Sequence, residues 1–120
     1  MKKLQLLCLF LMAIVFFGTT NVTAQEVGLQ LYSLRNQFKE DIPSTLKLIN
    51  DWGITVLEGG DSYGMPEEEF KGLLAKNNLK VVSIGAGFND LANAPEEVVK
   101  KAKSYGANYV MCASIPHDGN

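Results

Sequence analysis

One carboxylate stands where a strand would end. In the segment VLEGGDSYG, residues 56–64, Glu58 closes a short apolar run and two glycines follow it directly. A carboxylate in that position can contact a substrate or move a proton in catalysis. It can equally be a structural group that accepts hydrogen bonds from neighbouring backbone or side chains. Gly59 and Gly60 would let backbone or ligand approach closely, or would simply form the turn. Which role applies depends on the elements that position Glu58.

These elements follow one repeated unit. The segments WGITVLEGG, NNLKVVSIG and YGANYVMCA each begin near a residue that tolerates left-handed backbone and continue into a short apolar run. The left-handed residues are Gly53, Asn78 and Gly106, spaced 25 and 28 residues apart, and such residues commonly end helices. The apolar runs suit strands that are buried on both faces. Each unit therefore predicts a helix, a tight turn and a buried strand.

Helix start signals lie between the predicted strands. Pro43, Pro66 and Pro95 are expected in the first turns, and acidic residues at 67–69 and 96–97 complement the positive end of the helix dipole. With residues 27–31 as an opening strand, the sequence predicts four strands that alternate with three helices. Apolar residues at helical spacing predict three core-facing stripes: Leu46, Ile49 and Trp52; Phe70, Leu73 and Leu74; Val98, Ala102 and Tyr105.

Strict alternation of strand and helix predicts an α/β fold with a parallel sheet. Two architectures fit: a doubly wound open sheet, and a (β/α)8 TIM-barrel type, whose typical length of about 250 residues matches eight such units. Neither GGDSYG at 59–64 nor GAGFND at 85–90 has all three glycines of a dinucleotide-binding loop, and no Walker-type lysine follows a glycine-rich turn. The barrel is therefore favoured, with only its first four strands and three helices present.

The first 24 residues have the pattern of an export signal. Lys2 and Lys3 precede an apolar run at 6–17, and Val22 and Ala24 occupy the small-residue positions before a cleavage site. This run is shorter than the roughly 20 residues of a membrane span, which makes an uncleaved anchor the weaker alternative. We therefore predict a signal peptide at 1–24, an exported (periplasmic or secreted) chain that starts at Gln25, and no membrane partner after cleavage.

Residues 25–120 carry an acidic surface. They hold 9 of the 11 basic residues, since Lys2 and Lys3 belong to the leader, against 13 acidic residues, so their net charge is −4. Such a balance makes nucleic acid or an anionic membrane a poor partner. Cys112 is the single cysteine in this range, so no internal disulfide can form in the oxidising compartment that export implies.

Four segments resemble, in order and spacing, the sugar phosphate isomerase/epimerase family, which has a xylose isomerase-like TIM barrel. They are VGLQLYSLR at 27–35, WGITVLEGGDSYGMPEEEF at 52–70, LKVVSIGAGF at 79–88 and YGANYVMCA at 105–113. The resemblance implies that residues 25–120 are the N-terminal half of such a barrel. For the intact relative it implies a small sugar or keto-sugar as substrate. It also implies a divalent metal that polarises the sugar while carboxylates move a proton between adjacent carbons.

Two departures limit what this resemblance implies for the chain. Gly85 stands where many relatives have a histidine near the end of the third strand. The metal ligands of the family come from later strands of the barrel, beyond Asn120. The resemblance therefore implies a divalent metal for a full-length relative, but neither metal nor activity for residues 25–120 alone. It identifies no catalytic residue and no metal ligand in this sequence.

A TIM barrel carries its active site at the carboxyl ends of the strands. The side chains expected near that mouth are Gln30, Tyr32, Arg35, Glu58, Ser83 and His117. Among them we predict Gln30, Tyr32, Glu58 and His117 as substrate-binding residues. The alternative for His117 is a solvated loop residue, and for Arg35 it is a surface ion pair with Glu40 or Asp41.

Four strands of a barrel also leave two strand edges unpaired, so self-association through those edges is expected. The main competing hypothesis for function is a non-catalytic carbohydrate-binding or assembly module that kept the barrel face. A third possibility, the endonuclease branch of the same fold, conflicts with the acidic charge and with export.

Overall fold

The structure is a computed structural model that describes residues 26–116. The predicted signal peptide at 1–24 and His117 lie outside the described residues. No helix that could span a lipid bilayer is found within residues 26–116. The elements are β1 (Gly28–Gln30), α1 (Arg35–Glu40), α2 (Ile42–Asp51), β2 (Val56–Gly59), α3 (Glu67–Lys76), β3 (Lys80–Gly85), α4 (Phe88–Asn93), α5 (Pro95–Ser104) and β4 (Tyr109–Met111), with a 3-10 turn (Leu31–Leu34) between β1 and α1.

The four strands form one parallel sheet in the order β1-β2-β3-β4. In a doubly wound sheet the strand order reverses at one point, so some neighbouring strands are not consecutive in the chain. The consecutive order is the one expected for a barrel. The three predicted helices correspond to α2, α3 and α5. The further helices α1 and α4 have six residues each, which is too short to show an apolar repeat in the sequence.

The turns from helix to strand have the predicted left-handed backbone. Gly53, Asn78 and Gly106 have φ angles of 76°, 54° and 69°. Pro43 and Pro95 lie in the first turns of α2 and α5, whereas Pro66 lies just before α3 as its N-cap residue. The local signals for helix starts and stops therefore match the observed element boundaries.

The core lies between the helices and one face of the sheet. The strands contribute Leu57, Val81 and Ile84, and the helices contribute Phe38, Leu46, Ile49, Phe70, Leu74, Val98 and Ala102, all buried. The expectation of strands buried on both faces is wrong for the described residues. Tyr109 and Val110 of β4 are exposed, because no element within residues 26–116 covers them, whereas β2 has no exposed residue.

The predicted apolar stripes are core-facing except at one position. Trp52 is 52 % exposed, because it follows the last turn of α2 as its C-cap residue. Leu73 and Tyr105 are partly buried and pack against the core. Helical spacing therefore predicted the interior sides of the helices but not the place where α2 ends.

A bulge in β3 shifts its pairing with β2. Leu57 pairs with Val81 and Glu58 pairs with Ser83, which leaves Val82 without a partner in β2. The carbonyl of Val82 accepts a hydrogen bond of 3.0 Å from the N–H of Asn108 on the other side. The extra residue keeps Val81 and Ile84, three positions apart, on the buried face. It also brings Ser83 next to Glu58.

Candidate functional site

A cleft of about 440 Å³ opens where β1 and β2 end. The side chains that line it are Gln30, Tyr32, Glu58, Asp61, Tyr63 and Lys101. Three of the four residues predicted to bind substrate, Gln30, Tyr32 and Glu58, are thus brought together in one cleft. Their role in binding stays a prediction, and the fourth, His117, lies outside the described residues.

Glu58 is oriented by the neighbouring strand. The pairing of β1 with β2 puts Gln30 opposite Glu58. The Gln30 side-chain Nε2 donates to Oε1 and Oε2 of Glu58, each at 3.2 Å. A carboxylate offers about four acceptor positions, so this one amide leaves part of its capacity unused. Among the described residues Glu58 forms no ion pair, and it can still accept hydrogen bonds from a ligand in the cleft.

The two glycines after Glu58 are required by packing. A Cβ atom on Gly59 would lie 2.6 Å from Cδ1 of Leu31, and one on Gly60 would lie 2.9 Å from Cγ2 of Ile84. Gly60 also has a backbone φ of 114°, which residues other than glycine rarely adopt. The close approach at both glycines is therefore made by core side chains and needs no ligand to explain it.

Tyr32 lies at the rim of the cleft and is paired with Arg35. Its side chain is 66 % exposed. The guanidinium carbon of Arg35 lies 4.7 Å from the centroid of the Tyr32 ring, and Nη1 donates to the Tyr32 carbonyl at 3.2 Å. Arg35 does not itself line the cleft. It therefore contacts Tyr32 from outside the cleft, by a cation–π contact with its ring and a hydrogen bond to its backbone.

The alternative interpretation of Arg35 as an ion-pair partner is wrong. Within the described part of the chain it forms no ion pair with Glu40 or Asp41. The Asp41 carboxylate instead accepts hydrogen bonds from the backbone N–H of Ser44 at 2.9 Å and from its hydroxyl at 2.8 Å. These two bonds lower the pKa of Asp41 and make it the cap of α2 rather than a partner for arginine.

Three lining residues were not predicted from the sequence: Asp61, Tyr63 and Lys101. Asp61 and Tyr63 belong to the turn GGDSYG, which the sequence showed only as a loop between a strand-ending carboxylate and a helix. The Tyr-Gly pair in that turn was the available signal, since a large aromatic residue is unusual where the chain must turn sharply. Lys101 lies on α5, and no motif in the sequence connects it with β1 or β2.

Tyr63 is held in an unusual conformation. Its φ is 53°, a region that large side chains rarely occupy. Its N–H donates to Oδ1 of Asp61 at 2.9 Å. Its ring stacks on Phe38 of α1, with ring centroids 4.3 Å apart and an interplanar angle of 4°. The loop after β2 is therefore attached to the helix after β1, and the loop borders the cleft through Asp61 and Tyr63.

Burial raises the pKa of two tyrosines. The pKa of Tyr63 is raised to about 12 by burial and, to a smaller degree, by the Asp61 carboxylate, and the pKa of Tyr105 is raised to about 12 mainly by burial. An unfolded tyrosine ionises near pH 10. The folded chain therefore keeps protons that the unfolded chain releases between these values. This tighter proton binding stabilises the folded state fully below about pH 10, and the stabilisation is lost as the pH rises through about 12.

This shift predicts alkaline destabilisation. The urea midpoint should be constant between about pH 9 and 10 and should fall toward about pH 12, with a shallower fall in Tyr63→Phe. Tyr109→Phe is the matched control, because Tyr109 is 69 % exposed. If the urea midpoint falls equally steeply with pH in wild type and in both variants, the alkaline destabilisation does not come from Tyr63.

The described residues do not form a metal site by themselves. No group of three or more His, Cys, Asp or Glu residues within 26–116 is placed to hold a metal ion. Glu58 and Asp61 are the carboxylates that line the cleft, whereas a divalent cation bound through oxygen takes about six ligands. Any metal of an intact protein of this kind would need ligands from outside this range.

Comparison with known proteins supports the fold. No protein-family model matches the sequence, and no curated protein matches it significantly. Solved structures do match, among them two crystal structures at 1.70 Å resolution of a sugar phosphate isomerase/epimerase from Parabacteroides distasonis ATCC 8503. The first is 25 % identical, with a TM-score of 0.55 over 77 % of this chain and 43 % of its own length. The second is 22 % identical, with a TM-score of 0.58 over 86 % of this chain and 44 % of its own length.

The chain thus spans less than half the length of each of these two solved structures. Its four-stranded parallel sheet and helices correspond to the first half of their TIM-barrel fold. The resemblance to sugar phosphate isomerases and epimerases is confirmed at the level of structure, and the expected α/β fold is confirmed with it.

Proposed function

We propose that this chain, which has the fold of the first half of a sugar phosphate isomerase/epimerase barrel, forms one wall of a sugar-binding site and contacts the sugar through Glu58. The observation that carries the proposal is the position of Glu58 at the end of β2, in the cleft and oriented by Gln30. Sugar hydroxyls are hydrogen-bond donors, and hydrogen bonds to a carboxylate are among the stronger ones.

The proposal assigns sugar binding to residues 26–116 and proton transfer to other parts of an intact protein. Proton transfer between adjacent carbons needs an acid and a base, each within hydrogen-bond reach of the carbon-bound groups. The described cleft offers Glu58, whereas the other cleft carboxylate, Asp61, already accepts the N–H of Tyr63. We infer that residues 26–116 bind and orient the sugar, and that isomerisation or epimerisation by an intact protein depends on groups outside this range.

A second candidate is a non-catalytic carbohydrate-binding module on the same barrel face. It is favoured by the small number of ionisable groups in the cleft, where only Glu58, Asp61 and Lys101 are charged among the lining residues. The two candidates share sugar binding and differ in turnover. Binding of a monosaccharide without isomerisation or epimerisation by a protein with a complete barrel would favour the module.

Glu58→Gln tests the binding role, because it removes the charge and keeps the size of the side chain. Replacing a charged hydrogen-bond acceptor is expected to weaken sugar affinity by about 10-fold to 100-fold. Affinity is measured by titration calorimetry with a panel of free aldoses, ketoses and their phosphates. Glu96→Gln, at an exposed position on α5, is the control and should bind as wild type does.

Two other outcomes have defined meanings. Unchanged affinity in Glu58→Gln together with a lower urea midpoint would assign Glu58 a structural role. Failure of the wild-type chain to bind any member of the panel would overturn the proposed function itself.

A further inference from the structure

The backbone at Tyr63 does not explain why a tyrosine is there. Its φ of 53° is followed by a φ of 85° at Gly64, and two successive left-handed residues suit glycine or asparagine. The hydrogen bond from the Tyr63 N–H to Asp61 needs only a backbone donor. A tyrosine is therefore strained at this position, and its side chain must have a use that offsets the strain.

Packing explains the ring but not the hydroxyl. The Tyr63 ring stacks on Phe38 and lies tilted against Phe70, with centroids 6.3 Å apart and an angle of 60°. Both phenylalanines are fully or almost fully buried, so the two helices that carry them, α1 and α3, fix the direction of the ring. A phenylalanine at position 63 would make the same contacts.

The hydroxyl of Tyr63 has no protein partner among the described residues. None of the side-chain hydrogen bonds within 26–116 involves it, and no buried side-chain oxygen in this range lacks a partner. The hydroxyl is therefore partly shielded by the fold but not completely enclosed by the described residues. Tyr63 lines the cleft together with Glu58 and Asp61, and it also borders a neighbouring groove beside Phe38 and Met65.

We propose that Tyr63 is a specificity-determining residue of the cleft, whose hydroxyl donates a hydrogen bond to one hydroxyl of a bound monosaccharide while its ring is held by Phe38 and Phe70. The inference rests on the proposed function, because it requires that the cleft binds sugar. A phenol on a fixed ring can contact one sugar hydroxyl and distinguish sugars that differ there. A site built to bond a hydroxyl rejects the analogue that lacks it.

The Tyr63 phenol is a hydrogen-bond donor at physiological pH, as a tyrosine with an ordinary pKa near 10 also is, and burial raises its pKa further to about 12. Beside two carboxylates that can only accept hydrogen bonds, it gives the cleft a donor that Glu58 and Asp61 cannot supply. Together with Lys101 and the Gln30 amide, which also line the cleft, the phenol places hydrogen-bond donors beside the accepting carboxylates.

The test is a thermodynamic cycle that combines the Tyr63→Phe substitution with removal of single hydroxyls from the sugar, and the binding affinity is measured for each combination. The probe is the monosaccharide that the wild-type chain binds most tightly in the calorimetric panel, together with its monodeoxy analogues. Tyr63→Phe should weaken binding of the parent sugar by about 3-fold to 10-fold. One deoxy analogue should show the same weakening with wild type, and it should bind wild type and Tyr63→Phe equally. A merely structural role would not produce this selective loss of discrimination.

Two controls separate the possible failures. Tyr63→Asn fits the turn but removes the ring, so it reports loss of loop packing through a lower urea midpoint. If Glu58→Gln weakens sugar binding but Tyr63→Phe binds every sugar as wild type does, the inference about Tyr63 is overturned and the proposed function stands. If wild type binds no sugar of the panel, the proposed function fails and this inference fails with it.

Discussion

In sedimentation velocity, residues 25–120 are expected to run as a dimer or a larger species rather than as a monomer. Within residues 26–116, β1 pairs only with β2 and β4 pairs only with β3, so each has an unpaired edge. Val27 beside β1 and Tyr109 on β4 are 70 % and 69 % exposed. Unpaired strand edges that carry exposed apolar side chains promote association.

Lysine substitution at the edges tests this expectation. Val27→Lys combined with Tyr109→Lys places charge on both edges and should weaken association by at least about 10-fold. Val99→Lys is the control, because Val99 is half exposed on α5, away from the strand edges. A wild-type chain that sediments as a monomer and unfolds in one cooperative transition would show that the edges are not association sites.

Phe70→Ala is expected to remove a large part of the stability of the fold. Phe70 is fully buried on α3 and touches the ring of Tyr63. Truncation of a buried phenylalanine costs about 3–5 kcal/mol, against a total stability of about 5–15 kcal/mol for a typical domain. The free energy of unfolding is measured by urea denaturation followed by circular dichroism.

Phe88→Ala serves as the comparison for this variant. Phe88 begins α4 and is 42 % exposed, so its removal should cost less than about 1 kcal/mol. Equal losses in the two variants would contradict the assignment of Phe70 to the core. A larger loss of loop order in Phe70→Ala, seen as faster proteolysis at residues 60–65, would agree with its contact to Tyr63.

Local signals in the sequence predicted most of the fold. Gly53, Asn78 and Gly106 end helices because glycine, which has no Cβ atom, and asparagine tolerate the left-handed backbone that a tight turn needs. Strict alternation with short connections then predicted a parallel sheet, and the barrel order was favoured by the length of the repeated unit and by the lack of a nucleotide-binding glycine loop. Burial of both strand faces was not predicted correctly, since an apolar run shows that a strand suits an interior but not which elements of the chain cover it.

The site was predicted less completely than the fold. Gln30, Tyr32 and Glu58 could be placed together because the ends of parallel strands lie at one edge of a sheet. The contact of Arg35 with the Tyr32 ring depends on side-chain conformations for which sequence spacing carries no signal. Lys101 reaches the cleft from a helix about 40 residues further along the chain than Glu58, a relation that only the folded chain shows.

The bulge at Val82 has a consequence for how β3 should be aligned with other sequences. A strand normally resists insertion and deletion, because one residue more or less turns every later side chain to the opposite face. The bulge at Val82 already accommodates one extra residue in β3. A β3 without Val82 would therefore keep Val81 and Ile84 on the buried face, as alternate residues of a regular strand. An alignment that forbids gaps within strands would then shift Ser83 by one position and pair the wrong residue with Glu58.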